Sequence, residues 1–366
     1  MGGPSGGNGQ AAAAEAGVPR IARAFLPAAA ILELTYRCDL ECELCACPWT
    51  APDGSYEHRT ELTLAHWKEV VFRLLKLGIR DVAFSGGEPL LKEGFEDLLA
   101  YAAELTAEHV ETDRGDLAIR KAPPRLFVMS NGTRLRPDVL DLMRRTGARL
   151  TLNLPGLRTY REHTGSGSAE TILDALRSAK ARGVPTAVAV TVTRRNLGEL
   201  YETIAEALLA GADGLVLNRF LAAGRGLAHA DLGLTRAEAG RMLDVAEEAL
   251  AAADRPGVLG TALPRCVLER AHPHLSASPR CAAGAAFFVV DPSGLLRVCP
   301  HSAVRLGSIR ALAAVREHPQ WRRFTMKQIL PGSCGDCEMA LDCDGGCRAA
   351  AALAGGRDDA PDPLVD

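Results

Sequence analysis

The sequence predicts an α/β protein in which a partial (β/α)6 barrel precedes a small cysteine-rich α+β domain. Short apolar segments alternate about six times with segments of helical periodicity, and such alternation is typical of a parallel sheet curled into a barrel or partial barrel. After Pro256 the helical periodicity fades, and seven of the eleven cysteines follow. We therefore expect a TIM-like barrel first and a metal-binding or otherwise cysteine-dependent domain second.

Six apolar segments are predicted strands, and each is followed by a glycine-rich or polar turn. They are Ala30–Tyr36, the start of Asp81–Pro89, Arg125–Gly132, Ala148–Gly156, Val184–Asn196 and Gly214–Phe220. The intervening segments have apolar residues at helical spacing, and the first of them carries Thr63 as a predicted N-cap and Gly78 at its end. These helices are predicted at Leu62–Gly78, Gly94–Leu105, Arg136–Gly147, Ser168–Gly183, Leu197–Gly211 and Thr235–Ala253.

The predicted domain boundaries follow from these changes in pattern. We expect a disordered tail at residues 1–25, the barrel at 26–232, a linker helix at 233–264, the cysteine-rich domain at 265–350 and a flexible tail at 351–366. The segment His109–Pro124 does not fit the β/α alternation, because it alternates like a small hairpin around a glycine turn. It is either a surface elaboration of the barrel or a flap that grips a substrate or partner.

Composition and charge exclude several classes of function. Apolar residues make up 47% and charged residues 24%, with a net charge of −3, so neither a basic field for nucleic acid nor a polybasic membrane anchor is present. No apolar run reaches the roughly 18 residues of a membrane span, and the first twenty residues do not resemble a signal peptide. We therefore expect a cytoplasmic protein, in which cysteines serve metal binding or catalysis more often than disulfides.

The unusual residues of the barrel follow its predicted strands. The first strand leads into cysteines, the second into "GGEP", the third into "SNGT" and the fourth into "NLPG". Because the carboxyl ends of barrel strands meet on one rim, where such barrels place their chemistry, we predict an active site there. On the first of these loops, Cys38-x3-Cys42-x2-Cys45 places three thiols within eight residues. They favour an iron–sulfur cluster with one iron lacking a protein ligand, while a zinc site and ordinary buried cysteines are the alternatives.

Together with "SGGEP" after the second strand, this motif resembles the radical S-adenosylmethionine (SAM) superfamily over roughly residues 30–220. The resemblance implies that Cys38, Cys42 and Cys45 bind a [4Fe–4S] cluster whose open iron is chelated by SAM. It further implies reductive cleavage of SAM to a 5′-deoxyadenosyl radical that abstracts a hydrogen from the substrate. The turn of Gly86, Gly87 and Glu88 is then expected to hold the methionine amino group, since glycine permits close backbone approach. Candidate contacts further along the rim are Ser130 and, for a ribose hydroxyl, Asn153.

The second group of cysteines contains Cys334-x2-Cys337-x5-Cys343-x3-Cys347, preceded by Cys266, Cys281 and Cys299. A zinc knuckle is possible from the spacing alone. The pattern resembles the SPASM extension of radical SAM maturases, which binds auxiliary [4Fe–4S] clusters. By that resemblance, one auxiliary cluster is held by Cys266, Cys281, Cys299 and Cys347, and a second by Cys334, Cys337 and Cys343. No cysteine follows Cys347, so a second cluster requires Asp342 or a tail aspartate, keeps an open iron, or is absent.

Auxiliary clusters beside a substrate favour a net oxidation, such as a crosslink or a dehydrogenation. The resemblance implies a ribosomally made peptide as substrate, with an electron donor such as flavodoxin or ferredoxin. Only about 30 residues precede the first strand, so either a separate protein binds the peptide or the substrate is a small molecule such as an amino sugar. A non-catalytic iron–sulfur or zinc protein is the third alternative. Cys47 fits neither cluster pattern and is predicted to be a small apolar packing residue.

Overall fold

The computed structural model describes residues 27–113, 116–326 and 328–365, and the predicted tail at residues 1–25 lies outside them. In this part of the chain, thirteen strands form one eleven-stranded sheet and one separate hairpin. The strands are β1 (Ala29–Glu33), β2 (Asp81–Ser85), β3 (Ala107–Asp113), β4 (Asp116–Ala122), β5 (Arg125–Ser130), β6 (Arg149–Asn153), β7 (Thr186–Val192), β8 (Gly214–Arg219), β9 (Gly257–Leu259), β10 (Leu275–Ser276), β11 (Phe287–Val290), β12 (Leu295–Arg297) and β13 (Gly307–Ser308).

The α-helices lie mostly between the parallel strands. They are α1 (Leu64–Lys76), α2 (Phe95–Glu104), α3 (Pro137–Thr146), α4 (Tyr160–Thr164), α5 (Ala169–Ala181), α6 (Leu200–Leu209), α7 (Arg236–Ala253), α8 (Leu312–Glu317), α9 (Pro319–Thr325) and α10 (Arg348–Gly355). The predicted N-cap of α1 is confirmed, because the Thr63 hydroxyl accepts a hydrogen bond from the backbone N–H of His66. None of the helices in the described ranges is long and apolar enough to cross a membrane.

The six predicted strands are neighbours in the sheet, in the order β1, β2, β5, β6, β7, β8, and every adjacent pair is parallel. Alternate residues of these strands pack against the helices. In β1, for example, Ala30 and Leu32 belong to the same buried cluster as Trp67 and Leu74 of α1. The partial β/α barrel predicted from the alternation is therefore confirmed.

The sheet continues across the predicted domain boundary. On one edge β9 and β10 add two more parallel strands beside β8, and on the other edge β11 pairs in parallel with β1 before β12 and β13 turn antiparallel. The predicted linker at 233–264 thus supplies α7 and one strand of the sheet. These extra strands have only two to four residues each, which is too short for a clear periodic signal in the sequence.

The segment predicted as a flexible tail, residues 351–366, contains a helix and buried residues in its described part. Helix α10 occupies the first part, and Leu364 is buried near the end of the chain. The carboxylate of Asp362 is fully buried and accepts hydrogen bonds from the Arg219 guanidinium and from the Cys347 backbone N–H. The acidic, proline-containing sequence resembles a disordered segment, but a buried arginine more than a hundred residues away supplies its partner.

The hairpin expected at His109–Pro124 is confirmed. Strands β3 and β4 pair antiparallel, with Ala107 opposite Ala122, and they are not hydrogen-bonded to the main sheet. The hairpin is therefore an insertion between α2 and β5.

Candidate active site

The first three cysteines lie on the loop that leaves β1 and line a single cavity of about 290 Å³. The cavity is also lined by Gly87 from the turn after β2 and by Arg225 from the segment after β8. The Arg225 guanidinium donates a 2.9 Å hydrogen bond to the Cys42 carbonyl. Cys38, Cys42 and Cys45 thus face one space at the carboxyl ends of the barrel strands, as the spacing predicts.

The glycine turn after β2 packs directly on the start of the cysteine loop. The backbone N–H of Gly87 donates to the Thr35 carbonyl at 2.9 Å, and that of Glu88 donates to the Arg37 carbonyl at 2.8 Å. A Cβ atom on Gly87 would lie 2.1 Å from the Arg37 carbonyl oxygen, and one on Gly86 would lie 2.8 Å from that of Thr35. Only glycine therefore permits this close approach, which holds the turn against the cavity.

The Glu88 carboxylate is fully buried and binds protein groups. It accepts hydrogen bonds from the Ser130 hydroxyl at 2.9 Å, the Asn131 backbone N–H at 2.8 Å and the Leu90 backbone N–H at 3.1 Å. Burial raises the pKa of Glu88 to about 7, and these hydrogen bonds oppose that rise. The side chain expected to contact a ligand thus joins the turn after β2 to the end of β5.

The two predicted rim contacts on β5 and β6 lie on opposite faces of the sheet. Ser130 has the same parity as Leu126 and Val128, which pack among the helices, and it is buried against Glu88 outside the residues that line the cavity. Asn153 has the opposite parity from Leu150 and Leu152, is half-buried, and ends its strand on the barrel interior. Of these two, Asn153 is the residue that faces the space inside the barrel.

A polar cluster around Asp39 fixes the cysteine loop to the end of β5, and the sequence analysis missed it. The Asp39 carboxylate accepts hydrogen bonds from Asn131 at 2.8 Å, Thr133 at 2.7 Å and Arg134 at 2.9 Å. Burial acts to raise the pKa of Asp39, but the hydrogen bonds from Thr133, Asn131 and Arg134 outweigh it and lower the pKa. The Asn131 amide is also 3.8 Å from the Cys38 sulfur. The "SNGT" stretch after the third predicted strand was the available signal.

Cys47, which was predicted to be a packing residue, lines the same cavity as a fourth cysteine, but its sulfur is directed to the protein. Its sulfur lies 3.7 Å from the Gly86 carbonyl, and its hydrogen bond to Cys45 lowers the pKa of that thiol to about 6. Burial raises the pKa of Cys42 to about 12. Thiolates are the usual ligands of iron–sulfur clusters, and the donor set of Cys38, Cys42 and Cys45 around one cavity fits such a cluster.

A buried ion pair lies behind the cavity, and neither partner was predicted. The Arg297 guanidinium donates to the Glu33 carboxylate of β1 and also to the carbonyls of Pro300 at 2.9 Å and Ser302 at 2.8 Å. Burial raises the pKa of Glu33 to about 7, while the neighbouring Arg297 opposes that rise. Because Pro300 directly follows Cys299, this pair connects the first barrel strand with the second group of cysteines.

The remaining cysteines form two sets that differ in exposure. The outer set lines a cavity of about 220 Å³ and consists of Cys266, Cys334, Cys337 and Cys343. The inner set consists of Cys281, Cys299 and Cys347, and each is only 8% exposed. Burial raises the pKa of Cys299, and negative charge on Cys347 and Cys281 raises it further. Among the described residues, no three histidine, cysteine or acidic side chains are arranged as ligands of a single metal ion.

The membership of these sets corrects the expected grouping. Cys266 was predicted to join Cys281, Cys299 and Cys347, but it lies with the other set. The physical reason is the packing of its neighbour Arg265, whose backbone N–H is 3.4 Å from the Cys343 sulfur. Spacing along the chain cannot reveal which of two nearby loops a separate segment will contact.

Comparison with known proteins identifies relatives for most of the chain. The model of the family described as "Radical SAM superfamily" matches residues 32–207. Mycofactocin maturase MftC of Mycolicibacterium smegmatis is 28% identical over 94% of this chain and 86% of its own length. The Mycobacterium tuberculosis protein of the same name is 26% identical over the same shares.

Two solved structures have a similar fold. Streptococcus suis SuiB bound to precursor peptide SuiA aligns with a TM-score of 0.70 and 12% identity, covering 92% of this chain and 75% of that one. The structure of anSMEcpe with bound AdoMet aligns with a TM-score of 0.66 and 17% identity, covering 92% of both chains. At these identities the likeness shows the fold alone.

Proposed function

We propose that this chain, whose residues 32–207 match the radical SAM superfamily, is a radical SAM enzyme that oxidatively modifies a ribosomally made peptide. The observation that carries the proposal is the single cavity that Cys38, Cys42 and Cys45 share with Gly87 at the barrel rim. These cysteines would hold a [4Fe–4S] cluster, whose chemistry when reduced would be one-electron cleavage of SAM to a radical able to abstract a substrate hydrogen. The modification is a crosslink or a dehydrogenation. A donor such as flavodoxin or ferredoxin supplies the electron that reduces the cluster before SAM is cleaved.

In this proposal Cys38, Cys42 and Cys45 bind the cluster by their thiolates. Arg225 lines the same cavity and supplies the positive charge that a site containing several thiolates requires. Three protein ligands leave one iron corner without a cysteine, where the amino and carboxylate groups of SAM can bind.

The remaining rim residues have binding and positioning roles. In this proposal the backbone of the Gly86–Gly87 turn receives the methionine amino group, because Gly87 lines the cavity and a backbone carbonyl can accept from an ammonium group. Glu88 and Ser130 act as positioning residues, since their side chains bind each other rather than line the cavity. Asn153, on the barrel interior, is the proposed ribose contact.

A peptide substrate is supported by the nature of the relatives. The relatives that align over 94% of this chain are named maturases, and SuiB was crystallised with a precursor peptide. We propose two auxiliary [4Fe–4S] clusters, at the outer and inner cysteine sets, to accept the electron released when a substrate radical is oxidised. The same proposal includes a separate protein that binds the peptide and presents it to the enzyme.

Anaerobic reconstitution with iron and sulfide tests the SAM site. The wild type should bind about twelve irons per chain and, when reduced, convert SAM to 5′-deoxyadenosine. The variant Cys38→Ala/Cys42→Ala/Cys45→Ala should lose about four irons, SAM binding and all cleavage. The matched control, Cys334→Ala/Cys337→Ala/Cys343→Ala, also removes three thiols but should retain SAM binding. A wild type that binds no SAM after reconstitution would overturn the proposal.

The substrate class is tested separately with a peptide encoded beside the gene and with an amino sugar. The proposal expects the peptide product to be lighter by one H2, as detected by mass spectrometry, and expects one 5′-deoxyadenosine for each modification. Turnover of the amino sugar with an unchanged peptide would contradict the peptide proposal while leaving the radical chemistry intact.

A further inference from the structure

Cys266 lies in the outer of the two cysteine sets in the C-terminal part of the chain. All eleven cysteines lie in the described part of the chain. The outer cavity is lined by four of them, and the inner set contains the three that are almost completely buried.

The segment around Cys266 is fixed against the outer set by contacts on both sides. On one side, Arg236 of α7 donates a 2.6 Å hydrogen bond to the Cys266 carbonyl and itself lines the outer cavity. On the other side, the Arg265 N–H points to the Cys343 sulfur, and a Cβ on Gly346 would lie 2.7 Å from the Pro264 ring. The segment therefore packs closely against the turn that carries Cys343.

The inner set is fixed by a different group of contacts. The backbone N–H of Cys281 donates to Asp344 at 2.8 Å, and that of Cys347 donates to Asp362 at 2.8 Å. The Cys299 sulfur accepts from the His301 backbone N–H at 3.3 Å. Cys266 takes part in none of these contacts.

The outer cavity has the size and donor chemistry for a cluster rather than for one ion. Its volume of about 220 Å³ is several times the roughly 30 Å³ share of one water molecule, so the four thiols surround a space. A cubane has four iron corners, and each takes one thiolate when the cluster is fully ligated by cysteine. Four thiols around one space match that requirement without help from Asp342 or a tail aspartate.

We propose that Cys266 is the fourth cysteine ligand of the outer cluster, together with Cys334, Cys337 and Cys343. The outer cluster is then fully ligated and suited to electron transfer. The inner cluster, held by three cysteines, has one iron corner for a ligand other than cysteine. This inference rests on the proposed function, because it requires that both sets bind clusters.

The test removes the outer or the inner cysteine set and adds Cys266→Ala to each of these variants. All variants also carry Cys38→Ala/Cys42→Ala/Cys45→Ala, so that the first cluster is absent. The outer triple variant is Cys334→Ala/Cys337→Ala/Cys343→Ala, and the inner triple variant is Cys281→Ala/Cys299→Ala/Cys347→Ala. Iron content and the electron paramagnetic resonance spectrum of the reduced protein are measured for each triple variant with and without Cys266→Ala.

The inference expects Cys266→Ala to change nothing in the outer triple variant, where about four irons remain in the inner cluster. In the inner triple variant, the same substitution should alter the spectrum of the remaining outer cluster and lower its iron content. The opposite pattern would assign Cys266 to the inner cluster and overturn the inference. If neither triple variant loses iron, the auxiliary clusters of the proposed function are themselves refuted.

If circular dichroism shows that the triple variants do not fold, a series of single substitutions replaces them. In the otherwise native chain, Cys266→Ser, Cys343→Ser and Cys281→Ser are compared. The inference expects the spectral change from Cys266→Ser to coincide with that from Cys343→Ser. Coincidence with the change from Cys281→Ser would contradict it.

Discussion

At the scale of single residues, the active-site rim depends on positions where a side chain is excluded. Gly87 lies so close to the Arg37 carbonyl that any Cβ would overlap it, and that neighbour is backbone rather than a movable side chain. The turn after β2 must therefore shift if Gly87 changes, and the surface that it presents to the cavity shifts with it. By contrast, a Cβ atom on Gly198 would meet no other atom within 4 Å.

We expect Gly87→Ala to weaken SAM binding at least about tenfold, which corresponds to about 1.4 kcal/mol. The physical reason is displacement of the backbone that lines the cavity. Gly198→Ala is the matched control and should bind SAM like the wild type, because its methyl group meets open space. Equilibrium binding of SAM to the anaerobically reconstituted proteins measures both. Equal affinity of Gly87→Ala and the wild type would contradict the assignment of this turn to the SAM site.

At the scale of elements, the C-terminal segment is held to the barrel by one buried ion pair. Asp362 and Arg219 of β8 are both almost completely buried and form a two-pronged contact. The same carboxylate accepts from the Cys347 N–H, so the segment also positions a member of the inner set. A buried charge without its partner is strongly destabilising, whereas an exposed pair such as Arg177 with Asp174 contributes little.

We expect Asp362→Ala to lower the free energy of unfolding by about 3–5 kcal/mol, because it leaves the Arg219 guanidinium buried without a counter-charge. The segment after α10 should also become sensitive to limited proteolysis. Asp174→Ala, in the exposed pair with Arg177 on α5, is the control and should change neither measurement. Thermal unfolding and protease digestion of the two variants provide the comparison. Resistance of Asp362→Ala to both would show that the segment is held by other contacts.

At the scale of the whole molecule, the cysteine-rich part and the barrel share one sheet. Strand β11 pairs in parallel with β1 along four residue pairs, and the buried Glu33–Arg297 ion pair joins the same two regions. Continuous pairing across the predicted boundary makes independent unfolding of the two parts unfavourable, because separation would expose the strand edges and the buried charges.

We therefore expect the barrel and the cysteine-rich part to unfold in one transition. Trp67 lies in α1 and Trp321 in α9, so variants that keep one tryptophan and carry phenylalanine at the other two positions report on each part. Glu33→Ala should shift both fluorescence transitions to lower denaturant together. Two separated transitions, with only one shifted by Glu33→Ala, would show instead that the parts unfold independently.

The sequence alone determined the features that depend on neighbouring residues. Alternation of apolar periodicities predicted the six central strands, and the cysteine spacing with "SGGEP" predicted the rim site, because short segments carry their own pattern of burial and turn geometry. The tertiary structure alone decided which distant segments meet. It placed Cys266 beside Cys343 and paired Asp362 with Arg219. It also directed the Glu88 carboxylate to hydrogen-bond donors of the protein. These outcomes depend on packing between segments far apart in the chain, and such contacts leave no local pattern in a single sequence.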